Sequence, residues 1–252
     1  MSSLNENLMS DPEPPPRTPI ASAPLSVILT PSDAEPSGKE GLGRWENFLA
    51  DLGRQYELFV VPPGLRGIGT VLRAGLAAAR NPLVVFASGD PRYRPEDLKR
   101  LLERIDAVDL VVGCRAGSMP AWLGGIGRLY RLAVRILIGV PLDPLPSWFG
   151  WKNWFFYLLV RIVTGVRVHD VNCGMQLFRR DVVAGIPVQA TGPFALAEII
   201  AKANFLGCLM DEVPIAGPPE DQPLWPLLAE GYGVLKHAEF GKRLPPSAIA
   251  AE

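Results

Sequence analysis

The chain has 252 residues, 48% of them hydrophobic, with 25 basic and 26 acidic side chains and a net charge of -1. That is enough apolar material for one sizeable core without disulfides or metals, and the balanced charge sets up no global field for nucleic acid. Cys114, Cys173 and Cys208 are isolated and His169 and His237 lie far apart, which argues against a disulfide framework or a zinc site and for reduced thiols in a cytoplasmic compartment.

Residues 1–24 are rich in Pro, Ser and acids and are expected to stay disordered, and no basic segment leads into an apolar run as a secretory signal would. Leu25–Thr30 is a short apolar run ended by Pro31, which suits a buried parallel strand. Trp45–Arg54 has helical apolar spacing. Tyr56–Val61 reads as a second strand stopped by Pro62-Pro63-Gly64, Thr70–Arg80 as an Ala/Leu helix, and Pro82–Ala87 as a third strand. Pro95 suits a helix start, with Glu96 and Asp97 in a first turn that favours negative charge, and that helix is expected to reach about Ile105. Asp109–Gly113 is a fourth strand. The alternation predicts a mostly parallel, doubly wound α/β sheet whose ligands bind at the carboxyl ends of the strands. Residues 218–252 are broken by prolines and read as a tail.

Residues 121–168 have the most unusual composition. Trp122, Trp148, Trp151, Trp154, Phe155, Phe156 and Tyr157 sit among Leu, Ile and spaced Arg or Lys. The apolar stretches are interrupted by Arg or Pro too often to span a bilayer. They suit amphipathic helices lying in a membrane interface, and equally a helical pair packed on the sheet or buried in a homodimer contact.

Several motifs occur in a fixed order: R-G-I-G-T-V-L-R-A-G-L-A-A-A-R at 66–80, V-V-F-A-S-G-D-P-R-Y-R-P-E-D-L at 84–98, D-L-V-V-G-C-R at 109–115, D-V-N-C-G-M-Q-L-F-R-R at 170–180, P-F-A-L-A-E ending at Glu198, and L-M-D-E-V-P-I at 209–215. The ordered set resembles the family-2 glycosyltransferases, and within them the branch that makes polyprenyl-phosphate sugars. The resemblance covers roughly residues 25–215. It implies a Rossmann-like glycosyltransferase A-type domain over 25–217 with the 121–168 insert, and transfer of a sugar from a nucleotide-sugar donor to a lipid-linked phosphate on the inner face of a membrane. Asp90 and Asp170 would be the catalytic acids, with Asp90 holding a divalent metal, Mg or Mn. Asp33, Arg66, Ser88 and Arg92 would meet the donor, Arg115, Arg128 and Arg180 the acceptor phosphate, and Glu198 would orient an arginine.

The chain also departs from that family. An aspartate-containing loop is missing after the second strand, and the Val61–Arg66 separation is too short to hold the helix and strand that should follow it. Ser88 stands where the first acid of a D-x-D pair is expected, the opening motif is only T-P-S-D-A-E, and a late arginine-containing loop is absent. One carboxylate can hold Mg²⁺ weakly when water and phosphate fill the other positions. Arg92 could instead neutralise diphosphate directly with its planar fork. A phosphate acceptor is already anionic, so it needs cationic positioning groups, not a strong base. Bland roles stand beside each of these: Asp90 and Asp170 as turn or cap residues, Arg92, Arg115, Arg128 and Arg180 as surface or edge arginines. A degenerate, non-catalytic member that binds nucleotide, lipid or a partner enzyme is the alternative. A nucleotidyltransferase is a weaker third reading, because S-D-A-E-P-S-G-K-E only faintly echoes the required loop.

Overall fold

The computed structural model describes residues 19–30, 37–60, 67–115, 151–217 and 224–241. Six strands form one sheet in the order β2-β1-β3-β5-β4-β6. They are β1 (Leu25–Thr30), β2 (Tyr56–Val60), β3 (Leu83–Ser88), β4 (Leu110–Arg115), β5 (Met175–Arg179) and β6 (Met210–Ile215). All run parallel except β5, which lies antiparallel between β3 and β4. The interior strands β1, β3, β4 and β5 are buried almost throughout, which is why β1, β3 and β4 read as mostly apolar runs and not as alternating ones, while β5 buries Gln176 and Arg179.

The helices are α1 (Ser37–Asp51), α2 (Ile68–Ala78), a 3₁₀ turn at Pro95–Asp97 running into α3 (Leu98–Leu102), α4 (Trp151–Thr164), the single turn α5 (Arg180–Val183), α6 (Phe194–Phe205) and α7 (Leu224–Lys236). Helix α1 begins well before the expected Trp45, while the helix expected to reach Ile105 closes at Leu102. The prolines of the expected tail do not prevent α7, because Pro226 falls in its first turn, where a missing N–H breaks no helical bond. Of the 121–168 insert, only 151–168 lies within the described residues, with Phe156 and Val160 of α4 buried in the core.

Among the described residues β2 is an edge strand paired only with β1, and the next described element is α2; residues 61–66, where a unit is expected to be missing, lie outside the described residues. Helix α2 then starts at Gly67, whose φ of 90° no side chain adopts easily and whose Cβ would lie 2.2 Å from the Thr191 carbonyl oxygen. That close approach sets the start of α6 beside the start of α2, and Gly69 N–H donates to the same carbonyl at 3.0 Å.

Helix α6 is apolar on most of its surface apart from the buried Glu198 and Lys202, and ten of its residues are buried, the pattern of a helix packed on every side. It touches α2, α4 and α7. Helices α4 and α7 therefore form an outer layer over α6. Both run alongside it in the same direction, since Phe156 meets Phe194 edge-on at the start of α6 and Asn204 Nδ2 donates to the Thr164 carbonyl at its end. Glu230 of α7 accepts from Thr191, Gly192 and Phe194 N–H at the start of α6, and Phe240 packs on Phe205 at its end.

The inner layer is tight where α2 crosses β1: a Cβ on Gly75 would sit 2.6 Å from Ile28. Gly75→Val should therefore destabilise the domain by ~1–3 kcal/mol through overpacking, measured by urea denaturation at unchanged m-value.

Candidate active site

The carboxyl ends of β1, β3, β4 and β6 and the amino end of the antiparallel β5 share one edge of the sheet. Two charged pairs sit there. At the end of β4, Arg115 donates Nε to Asp170 Oδ2 and Nη2 to Asp170 Oδ1, both at 2.7 Å, and its backbone N–H donates to Oδ2 at 3.1 Å. Both side chains are buried, at 8% and 4% exposure. Burial pulls the guanidinium down, but the Asp170 carboxylate outweighs it and raises Arg115 above its ordinary value.

The Asp170 loop is held from three sides. Glu212 of β6 accepts the backbone N–H of His169 and Asp170 on Oε1, and pairs through Oε2 with His169 Nδ1 at 2.7 Å. Gln176, fully buried in β5, donates its amide to the Val171 and Cys173 carbonyls. Tyr93 Oη accepts Gly174 N–H at 3.0 Å, and burial pushes its phenol well above the ordinary range. A Cβ on Gly174 or Gly217 would meet Tyr93 at 2.9 Å, so the ring is wedged between the two segments. Cys114 also lies here, its thiol pushed up by burial and then by Glu212, which makes it a poor nucleophile.

At the end of β3, Ser88 Oγ accepts Asp90 N–H at 3.2 Å, and Ser88 N–H donates to the Gly174 carbonyl. Asp90 is gripped by Arg92, whose Nε and Nη2 reach Oδ1 and Oδ2 at 3.0 and 2.7 Å. The Arg92 hydrogen bonds hold the Asp90 carboxyl below its usual range, against a partial opposing effect of burial. Arg44 of α1 fixes the same turn by donating to the Pro91 carbonyl at 2.5 Å. Both oxygens of the lone acid are thus engaged, and among the described residues no group of three His, Cys, Asp or Glu side chains could hold a metal. The described residues by themselves do not form a resident metal site.

Ser88, Asp90, Arg92, Arg115 and Asp170 all lie on this edge, with Arg115 and Asp170 engaged with one another. Asp33, Arg66 and Arg128 lie outside the described residues. Arg180 does not join them: Arg179 pairs with Leu83 and Arg180 N–H donates to Pro82, at the opposite edge. Four strand steps, ~13 Å, already separate Arg179 from Met175. The antiparallel course of β5 turns the R-R end of the motif away from its D-V-N-C start. Glu198 is buried as expected, but its partner is Lys202 at 2.6 Å, one helical turn on, and not an arginine. It also accepts Gln189 and Ala190 N–H, which anchors the strap leading into α6. Tyr93, Glu212 and Gln176 were not singled out in the sequence. The motifs containing them were visible, but nothing in the chain's order says that they meet.

Sheet order, the single antiparallel strand and the charged carboxyl edge define a glycosyltransferase A-type domain. The model of "Glycosyl transferase family 2" matches residues 49–186, more than half of the chain, and the chain belongs to that family. Among solved structures it is similar to mannosyl-3-phosphoglycerate synthase from Rubrobacter xylanophilus, at TM-score 0.52 and 17% identity over 85% of this chain and 72% of that one. It is also similar to glucosyl-3-phosphoglycerate synthase from Mycobacterium tuberculosis in complex with Mn²⁺, UDP-glucose and phosphoglyceric acid, at TM-score 0.51 and 16% identity over 86% and 78%. No match is found among curated protein sequences.

Asp170→Asn should destabilise the fold by ~3–5 kcal/mol, because it leaves the buried Arg115 charge uncompensated. Arg115→Met combined with Asp170→Leu should recover part of that stability in thermal unfolding. A double variant no more stable than Asp170→Asn alone would show that the pair's role is not mainly to satisfy its own buried charge.

Proposed function

We propose that the protein transfers a sugar, with inversion, from a nucleotide-diphosphate donor to a lipid-linked phosphate. The observation that carries this reading is the Asp90–Arg92 couple on the carboxyl end of β3, where an α/β sheet receives a diphosphate. The Arg92 side chain is 59% exposed and forked, and Asp90 aims it. A guanidinium so placed can take the charge that builds on the leaving diphosphate. A divalent ion, as in the Mycobacterium complex, would have to compete with Arg92 for Asp90. Asp170, with both oxygens on Arg115, acts as a positioning residue for the end of β4. An acceptor phosphate oxygen is already anionic and needs no base from Asp170.

Exposed apolar side chains support the lipid side. Ile162 and Val163 of α4 and Trp225 and Tyr232 of α7 are 66%, 50%, 79% and 70% exposed. No helix among the described residues is long and apolar enough to cross a membrane, so contact would be peripheral. A second reading, a non-catalytic member that keeps the nucleotide site, is favoured by Ser88 in place of an acid and by the neutralisation of Asp90.

Calorimetric titration with uridine- and guanosine-diphosphate sugars, with and without Mn²⁺, tests the reading. One donor should bind saturably, and Arg92→Gln should weaken it by ~1.5–3 kcal/mol while making binding more dependent on Mn²⁺. Asp90→Asn should remove any such dependence. Saturable binding without turnover of lipid-phosphate or small phosphate acceptors would favour the non-catalytic reading, and no donor binding at all would defeat both.

The protein should also co-sediment with anionic liposomes, and Ile162→Ser with Trp225→Ser should release it. Sedimentation that is absent in the wild type, or unchanged in the variant, would place the lipid contact elsewhere.

A further inference from the structure

The two charged pairs of the carboxyl edge are joined at one residue. Gly174, four residues after Asp170, donates its N–H to Tyr93 Oη at 3.0 Å and accepts Ser88 N–H on its carbonyl at 2.7 Å. Both grips come from the end of β3 and the turn that carries Asp90 and Arg92. No side chain fits between them: a Cβ on Gly174 would lie 2.9 Å from Tyr93 Oη and 3.0 Å from Ser88 Cβ. The loop that presents Asp170 is thus fastened to the Asp90–Arg92 turn through both polar groups of a single residue.

Tyr93 reaches the other strand ends as well. A Cβ on Gly217, two residues past β6, would lie 2.9 Å from the Tyr93 ring and 2.8 Å from Arg115 Cγ. The ring therefore sits where the segment after β6 passes over the last residue of β4. Tyr93 N–H donates to the Asp90 carbonyl at 3.0 Å, so one turn sets both the ring and its neighbour Arg92. Arg92 faces the open side of the edge, while Tyr93, the next residue, is buried.

Packing alone does not call for the hydroxyl. A phenylalanine ring fills the same wedge, and a buried hydroxyl is costly unless it is hydrogen-bonded. Among the described residues its hydrogen-bond partner is Gly174 N–H. Burial raises the phenol well above its ordinary range, which keeps it neutral and leaves it no part as an acid or base.

We propose that Tyr93 is a positioning residue for sugar transfer: through Gly174 it sets the Asp170 loop and the end of β4 at a fixed distance from Arg92, so that donor and acceptor meet in line. The role rests on the transferase reading above; the Ser88–Gly174–Tyr93 contact does not. Reacting atoms must come within about 3–3.5 Å, and a misplacement of ~1 Å costs about a hundredfold in rate. A ring that only filled space would act on stability and leave the rate alone. A hydroxyl that sets a distance acts on the rate, while each substrate keeps its own contacts.

The test uses the full chain, uridine- and guanosine-diphosphate sugars as donors and farnesyl monophosphate as the lipid-phosphate probe, with release of nucleoside diphosphate as the signal. Tyr93→Phe should lower kcat about tenfold or more, with donor Kd and the KM for farnesyl monophosphate within about twofold of the wild type. Gly174→Ala strains the same contact without touching the ring and should give the same split. The double variant should lose less than the two single losses combined, because both break one contact. An unchanged kcat in Tyr93→Phe would leave Tyr93 a packing residue and overturn the role. So would a fall in kcat matched by an equal fall in donor affinity, which is general damage to the site. A wild type that binds donor without turning it over defeats the transferase reading and the role with it, whereas an active wild type with an unaffected variant defeats the role alone.

Discussion

A buried guanidinium and a buried carboxylate at the end of β4 hold the rest of the site in place. Arg115 and Asp170 are each removed from water and satisfy one another through two side-chain bonds and one backbone bond. Neither charge is tolerable alone at that depth. The pair therefore fixes the distance between the end of β4 and the loop that feeds the antiparallel β5. Glu212, Gln176 and Tyr93 then hold that loop from β6, from β5 and from the turn after β3. Three strands and the turn after β3 meet through these few polar groups.

The turn after β3 solves a different electrostatic problem. A pair of acids would repel one another unless a cation sat between them. Here a single acid meets an arginine two residues on, and Ser88 supplies a neutral acceptor for the turn. The cation is thereby part of the chain and exposed, while Arg44 and Ser88 hold the backbone beneath it. This arrangement suits charge neutralisation of a diphosphate by the protein itself.

The outer layer is α4 and α7, packed over α6. Helix α6 is buried along most of its length because α2, α4 and α7 all press on it, and its two buried charges, Glu198 and Lys202, satisfy one another. Helices α4 and α7 have no further layer above them among the described residues, and they leave Ile162, Val163, Trp225 and Tyr232 in solvent. Glu230 ties α7 to the start of α6 by accepting three backbone N–H groups, which satisfies donors that a helix start leaves open.

Local chemistry was enough to read much of this from the chain. Strand runs such as Leu25–Thr30 are apolar on both faces because both faces are buried, so β1 to β4 were legible within a residue or two. The short Val61–Arg66 span, the S-G-D turn and the D-V-N-C-G segment marked the lost unit and the carboxyl edge. What the sequence could not supply was direction and partner. β5 runs antiparallel, and only that sends Arg180 to the far edge while Asp170 stays at the near one. Glu198 pairs with Lys202 one turn along its helix, and Leu224–Lys236, inside the expected tail, is helical because Pro226 falls in its first turn and α6 offers an apolar face. Residues far apart in order, such as Tyr93 with Gly174 and His169 with Glu212, meet through long-range packing, to which spacing along the chain carries no signal.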